Sequence, residues 1–284
     1  MNLLARILGD AGRPASHRAL PVRRYVGDEA TDAYEEVAAE TAVAFVYNGT
    51  PHAVMMASPS DLEEFGVGFT VTERIVARRE EIRSVRAREL PEGIELAIEI
   101  DPERHRELDR RQRALTGRVG CGLCGQQSLA QAIRKPERVA RGLRVSHGAV
   151  HAAVAELPRW QAVNRVTGAL HAAAWVGPEG EVLAVREDVG RHNAFDKLIG
   201  CLLNDRADLD KGFALITSRA SHEMVQKAAS VGIQMLVAVS APTTLAVRLA
   251  SETGVTLIAF ARNNRYTVYS GSERIVTHRE TTVV

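Results

Sequence analysis

The stretch from Phe213 to Phe260, FALITSRASHEMVQKAASVGIQMLVAVSAPTTLAVRLASETGVTLIAF, decides the fold class. Apolar runs at Phe213–Thr217, Met235–Ser240 and Val255–Phe260 are separated by amphipathic segments at 221–231 and 243–252. Strands that are apolar at nearly every position are buried on both faces, as in a parallel sheet with helical crossovers. The stretch therefore reads β-α-β-α-β, and the second half of the chain reads as an α/β domain.

Outward from this stretch the pattern weakens but stays legible. A helix is predicted over about 192–204, preceded by a hairpin-like pair around Gly177-Pro178-Glu179-Gly180 and by short helical stretches near 126–135 and 148–157. Residues 101–113 are densely charged, with no face to bury, and read as a solvated helix or linker. Further upstream, Ala42–Tyr47 and His52–Ala57 flank Asn48-Gly49, a pair that favours the type I′ turn of a hairpin. Ser58-Pro59-Ser60-Asp61 follows, with a capping serine and a proline at the first helical position, and predicts a helix to about Ile75. A second hairpin spans Glu81 to Ile100 and turns at Pro91-Glu92-Gly93. The division is an irregular arm over 1–40, a small α+β domain over 41–115 and an α/β domain over 116–284.

Composition narrows the class. The 284 residues are 45% hydrophobic and 25% charged, as in a soluble globular protein, with a formal net charge of +1. So balanced a charge gives no sign of a nucleic-acid binder, and any anion site must be built locally. No apolar run is long enough to span a bilayer, and Met1–Arg6 starts no export signal. An odd count of 3 cysteines does not make a disulfide framework, which points to a reducing, cytoplasmic setting.

Polar residues gather where the strands should stop. Ser218-Arg219-Ala220-Ser221-His222-Glu223, Ala241-Pro242-Thr243-Thr244 and Ala261-Arg262-Asn263-Asn264-Arg265 follow the apolar runs. Ligands of open parallel sheets bind beyond such carboxyl ends, and hydroxyls, helix N-termini and arginines hold phosphate oxygens. Each piece also has a plainer reading. Arg262 and Arg265 suit a surface loop, Ser221 an N-cap, and His192 a hydrogen-bonded structural histidine. Glu187, Asp188 and Arg191 suit a local ion-pair network.

Gly120-Cys121-Gly122-Leu123-Cys124-Gly125 holds two of the 3 cysteines. Glycines flanking a thiol allow close approach and let backbone amides stabilise a thiolate. Cys201 lies instead in the run Leu198-Ile199-Gly200-Cys201-Leu202-Leu203 and reads as core. Structural zinc needs a second pair of ligands that the sequence does not offer. A zinc nucleobase deaminase carries H-x-E before P-C-x-x-C. His105-Arg106-Glu107 approaches that signature, but Gly120 stands where the proline belongs. A thioredoxin-like dithiol should follow a strand, and none is evident here. A carrier thiol fits best, with sulfur held as a persulfide.

The same residues resemble a known family. Cys121-Gly122-Leu123-Cys124-Gly125 resembles the signature loop of the formate dehydrogenase accessory sulfurtransferases, the FdhD-type proteins. Glu187 to Lys197, Thr217 to Lys227, Ser240 to Thr243 and Phe260 to Arg265 are similar to further blocks, so the resemblance runs over about 40–270. Gln126 and Gln127 depart from it, standing where a lysine is common.

The resemblance implies a cytidine-deaminase-like α/β C-terminal domain without zinc, behind a smaller α+β domain. It implies a sulfurtransferase that carries persulfide sulfur from a cysteine desulfurase to a molybdenum or tungsten bis(molybdopterin guanine dinucleotide) cofactor, as formate dehydrogenase requires. By position, Cys121 is the carrier and Cys124 its partner. Phe260, Ala261, Arg262, Asn263, Asn264 and Arg265, joined by Arg219 and Ser221, hold the guanine dinucleotide. The expectation is a cytoplasmic homodimer without a tightly bound metal of its own, binding neither nucleic acid nor membrane. The alternative is a chaperone that only binds and protects the cofactor.

Overall fold

The computed structural model describes residues 15–116 and 136–276. Two larger sheets organise them into a mixed α/β architecture, with one apolar core on the four-stranded sheet and one on each face of the six-stranded sheet.

The first sheet has four strands. Its hairpins are β3 (Thr41–Tyr47) with β4 (Thr50–Ala57), and β5 (Ile82–Leu90) with β6 (Gly93–Ile100). Strand order is β4-β3-β6-β5, with β3 parallel to β6. The first hairpin turns at Asn48 (φ 47°) and Gly49 (φ 83°), both in the left-handed region a type I′ turn requires. Helix α1 (Leu62–Thr72) covers this sheet, and Phe45, Phe65 and Phe69 pack between them. Helix α2 (Pro102–Thr116) follows.

The helix predicted from Ser58 starts later. It begins after Asp61, which is left-handed (φ 53°) and makes no side-chain cap bond. Ser58 does not cap, because it is buried against a segment 130 residues away. Its N–H donates to Asp188 Oδ2 at 2.9 Å, and its carbonyl accepts from Lys197 Nζ at 3.0 Å. The irregular arm is also corrected: β1 (His17–Val26) and β2 (Glu29–Ala38) form a mostly exposed antiparallel ribbon.

The second sheet has six strands in the order β13-β12-β11-β10-β8-β9. Helix α3 (His147–Trp160) follows the short strand β7 (Val145–Ser146), and α4 (Asn164–Thr167) leads into β8 (His171–Val176) and β9 (Val182–Asp188). After α5 (Arg191–Asn204) come β10 (Phe213–Ile216), α6 (His222–Ser230), β11 (Met235–Ala238), α7 (Thr244–Thr253), β12 (Thr256–Arg262) and β13 (Arg265–Ser270). The predicted β-α-β-α-β unit is present: β10, β11 and β12 are mutually parallel. Strands β8 and β13 run antiparallel to their neighbours in that unit. Alternate residues of β10 explain its unbroken apolar run. Ala214 and Ile216 join the core under α5, α6 and α7, while Phe213 and Leu215 join the core under α3. Strand β14 (Ile275–Val276) pairs in parallel with β7.

The two units meet where α1 crosses α5. A Cβ at Gly68 would lie 1.8 Å from the carbonyl oxygen of Asp196, and one at Gly200 would lie 1.8 Å from that of Glu64. No side chain fits at either position, so the glycines set how closely the helices approach.

Around the crossing, buried charges are paired. Lys197 Nζ is 2.6 Å from Asp188 Oδ2, both fully buried. Lys227 Nζ lies 2.9 Å from Asp196 Oδ2, Glu73 Oε1 and Thr72 Oγ1. Burial alone would depress the Lys227 pKa, but Asp196 and Glu73 outweigh it and hold the ammonium charged. Arg186 forks onto both oxygens of Glu64 and donates to Cys201 Sγ at 3.1 Å.

Candidate functional site at the carboxyl edge of the six-stranded sheet

Because β10, β11 and β12 are parallel, their carboxyl ends share one edge. Backbone bonds knit the segments beyond them together. Ala220 N–H donates to Ala241 O at 3.1 Å, Thr243 N–H to Ala220 O at 3.1 Å, and Phe260 N–H to Ser240 O at 3.0 Å. Helix α6 starts after Ser221 and α7 after Thr243. Strand β9 ends at the same edge, since its last residue, Asp188, pairs with His171 at the start of antiparallel β8. Helix α5 opens just beyond, with Gly190 as its N-cap. The N-termini of α5, α6 and α7 thus gather along one edge, and their first amides and dipoles favour an anion there.

The end beyond β12 is built from strained backbone. Phe260 (φ 52°), Asn263 (φ 52°) and Asn264 (φ 56°) all lie in the left-handed region. The two asparagines make the tip of the β12–β13 turn, where that conformation is tolerated. Phe260 is bulky and costs on the order of 1–3 kcal/mol there, the kind of strain that marks ligand clamps. Ala261 is buried, whereas Arg262, Asn263, Asn264 and Arg265 are exposed. Arg262 sits opposite Arg265, its guanidinium 5.9 Å from the Phe260 ring centre. This is an exposed cationic tip beside a partly buried aromatic ring, suited to phosphate and flat ring systems.

Nearer β8 and β9 the edge carries His171, Arg191, His192, Ser221, His222 and Glu223. His192 Nε2 is 2.6 Å from Glu223 Oε2. That contact holds the Glu223 carboxyl below the ordinary glutamate value despite opposing burial. Burial, then the Arg191 charge, lowers the pKa of His171. Burial also lowers that of His222, with Arg248 adding to it and Glu223 opposing. Arg191 Nε, Ser221 Oγ and His222 Nε2 are buried without a hydrogen-bond partner among the described residues.

The structure brings Arg219, Ser221 and Phe260–Arg265 onto this one edge, with β11 between the two groups. Cys121 and Cys124 lie outside the described residues. Ser221 holds the N-cap position, as predicted, but its side chain makes no cap bond. The network read for Glu187, Asp188 and Arg191 is divided. Asp188 pairs with Lys197, and Glu187 accepts from the N–H groups of Val163 and Asn164. Arg191 belongs to the edge instead. Two contributors escape sequence reasoning. His171 reaches the edge only because β8 is antiparallel, and Met56 enters from the first unit, its carbonyl accepting from Asn193 Nδ2 at 2.9 Å. His105, of the deaminase-like H-x-E, lies in α2, 3.7 Å from Asp109, and Glu107 pairs with Arg104. Cys201 is core: it is 6% exposed, and burial pushes its thiol up to about 12 against the pull of Arg186.

Residues 38–276 match the model of the FdhD/NarQ family. The chain is 48% identical over 254 residues to the sulfur carrier protein FdhD of Xanthomonas euvesicatoria pv. vesicatoria, covering 89% of this chain and 90% of that one. It is 45% identical over 267 residues to the sulfur carrier protein FdhD of Cupriavidus necator, covering 94% and 92%. In fold it is similar to the crystal structure of a proposed formate dehydrogenase accessory protein from Desulfotalea psychrophila. There the TM-score is 0.74 at 24% identity, covering 92% of this chain and 100% of the other. A chain matched over this length, at this identity to named sulfur carrier proteins, belongs to the FdhD/NarQ family.

Proposed function

We propose that this protein is a persulfide sulfurtransferase that loads a molybdenum bis(molybdopterin guanine dinucleotide) cofactor for formate dehydrogenase. The Cys121 thiolate attacks the outer sulfur of a cysteine desulfurase persulfide; the S–S bond breaks and the desulfurase thiolate leaves. Cys121 then carries the sulfur to the cofactor, with Cys124 as its partner thiol. The metal is cargo, as part of the client cofactor. The protein works in the cytoplasm as a homodimer, and its helix-flanked six-stranded sheet serves as a cytidine-deaminase-like scaffold used without zinc.

One observation carries the reading: three helix N-termini and the Arg262–Arg265 turn share the carboxyl edge of one sheet. A cofactor with two pyrophosphates and guanine ends needs several such anion sites in a row. Arg262 and Arg265, with Phe260, Ala261, Asn263 and Asn264, hold a guanine nucleotide, and Arg219 and Ser221 continue the row.

The test is complementation of cells lacking the native accessory protein. Cys121→Ser should abolish formate dehydrogenase activity, and the serine variant should still bind guanine nucleotide. Full rescue by that variant would instead make the protein a cofactor-binding chaperone. Intact mass after incubation with a cysteine desulfurase and cysteine should rise by about one sulfur atom, labile to reductant.

A further inference from the structure

We infer that the first turns of α5 and α6 form an oxyanion subsite for a phosphoryl group, with Arg191, Ser221 and His222 as its donors. It rests on, and deepens, the reading that this edge binds an anionic nucleotide cofactor.

Buried polar groups are almost always hydrogen-bonded, so a cluster of unpaired ones at one place needs an occupant. Arg191 Nε, Ser221 Oγ and His222 Nε2 are three such atoms, at the first residue of α5, the N-cap of α6 and the first residue of α6. The His222 side chain is only 9% exposed. Ser221 stands where a serine normally closes onto its own helix, yet makes no cap bond. Its neighbour in the row, Thr243, does cap, accepting from Ala246 N–H. Ser221 therefore keeps a hydroxyl free at a helix N-terminus.

The donor set selects the ligand. Arg191 brings a fixed positive charge, Ser221 a hydroxyl, and His222 an unpartnered ring nitrogen. Asp188 is taken by Lys197, Asn193 and the N–H groups of Ser58 and Gly190. Glu223, at the rim, lies 2.6 Å from His192 Nε2 and also acts on Arg191 and His222. Donors from two adjacent helix starts suit a tetrahedral oxyanion. Only β11 separates β10 from β12, so the β10 end that leads into Ser221 and His222 lies on the order of 10 Å from the β12 end at Arg262. One extended nucleotide can touch both.

Titration calorimetry of the full chain with GDP, guanosine and inorganic phosphate tests this, using Arg191→Gln, Ser221→Ala and His222→Asn. GDP affinity should fall about tenfold in Arg191→Gln and several-fold in Ser221→Ala, with guanosine affinity unchanged. Ser221→Ala removes no side-chain hydrogen bond among the described residues, so it keeps the test alive if the other variants fold poorly. Phosphate that binds the wild type, is lost in Arg191→Gln and is not displaced by GDP would support the subsite with free phosphate as its source. GDP and phosphate affinities unchanged in both Arg191→Gln and Ser221→Ala would overturn the subsite and leave the nucleotide reading standing. A wild-type chain that binds phosphate through Arg191 but not GDP would keep the subsite and sink the nucleotide reading. Binding of neither would overturn both.

Discussion

Two of the places where this molecule buries polar groups treat them in opposite ways. Where α1 crosses α5, the buried ions are closely partnered: Lys197 with Asp188, Lys227 with Asp196, Arg186 with Glu64. At the carboxyl edge of the six-stranded sheet, Arg191 Nε, Ser221 Oγ and His222 Nε2 have no hydrogen-bond partner among the described residues. The first pattern is what docking two units requires, since an isolated buried ion costs more than the fold can bear. The second costs stability and makes sense where something else completes the bonds. The two patterns lie within a few residues of each other on α5 and α6, so closeness in sequence does not separate structural from functional charge.

The largest expected effect tests the partnered side. Asp196→Ala leaves Lys227 buried with a weakened set of acceptors and should cost about 3–5 kcal/mol in chemical denaturation. Replacing both partners by apolar residues should cost less than the sum of the single changes. A loss well under about 1 kcal/mol for Asp196→Ala would erase the contrast.

Next comes the crossing itself. Helix propensity alone makes Gly200→Ala stabilising by roughly 1 kcal/mol. The crossing predicts the reverse, because the new Cβ would meet the Glu64 carbonyl at 1.8 Å. A loss of about 1–3 kcal/mol is expected in thermal or denaturant unfolding, and a gain would mean that the helices are not in contact there.

The smallest effect sharpens the unpartnered side. Thr243→Ala removes a working cap and should cost about 1 kcal/mol, whereas Ser221→Ala removes a hydroxyl that bonds to nothing and should change stability by about 0.5 kcal/mol or less. Equal losses from the two, measured by the same unfolding curve, would show that Ser221 is an ordinary cap.

Much of this was legible before the fold was known. The period of apolar residues located β10, α6, β11, α7 and β12 to within a few residues, because a buried strand and an amphipathic helix each leave a local signature. Asn48-Gly49 announced its turn for the same reason. Ser58 shows where such reading stops. Ser58-Pro59 has the local form of a helix start, but its polar groups were claimed by Asp188 and Lys197, and α1 began at Leu62. The ribbon over His17–Ala38 was missed because its strands face solvent and carry no apolar alternation.

The chain by itself determined the α/β class, the glycine-framed thiols at Cys121 and Cys124, and the polar ends of three successive strands. All are patterns within a few residues, fixed by backbone period and side-chain chemistry. The tertiary structure alone decided that those ends share an edge with His171 and Met56. It also decided that Asp188 and Asp196 are structural while Arg191 and Ser221 remain available, and that Gly68 and Gly200 admit no side chain. Such outcomes depend on which distant segments are brought into contact, as between Ser58 and Asp188, 130 positions apart. Pairing partners satisfies charge locally, and only the docked helices show which groups have found one.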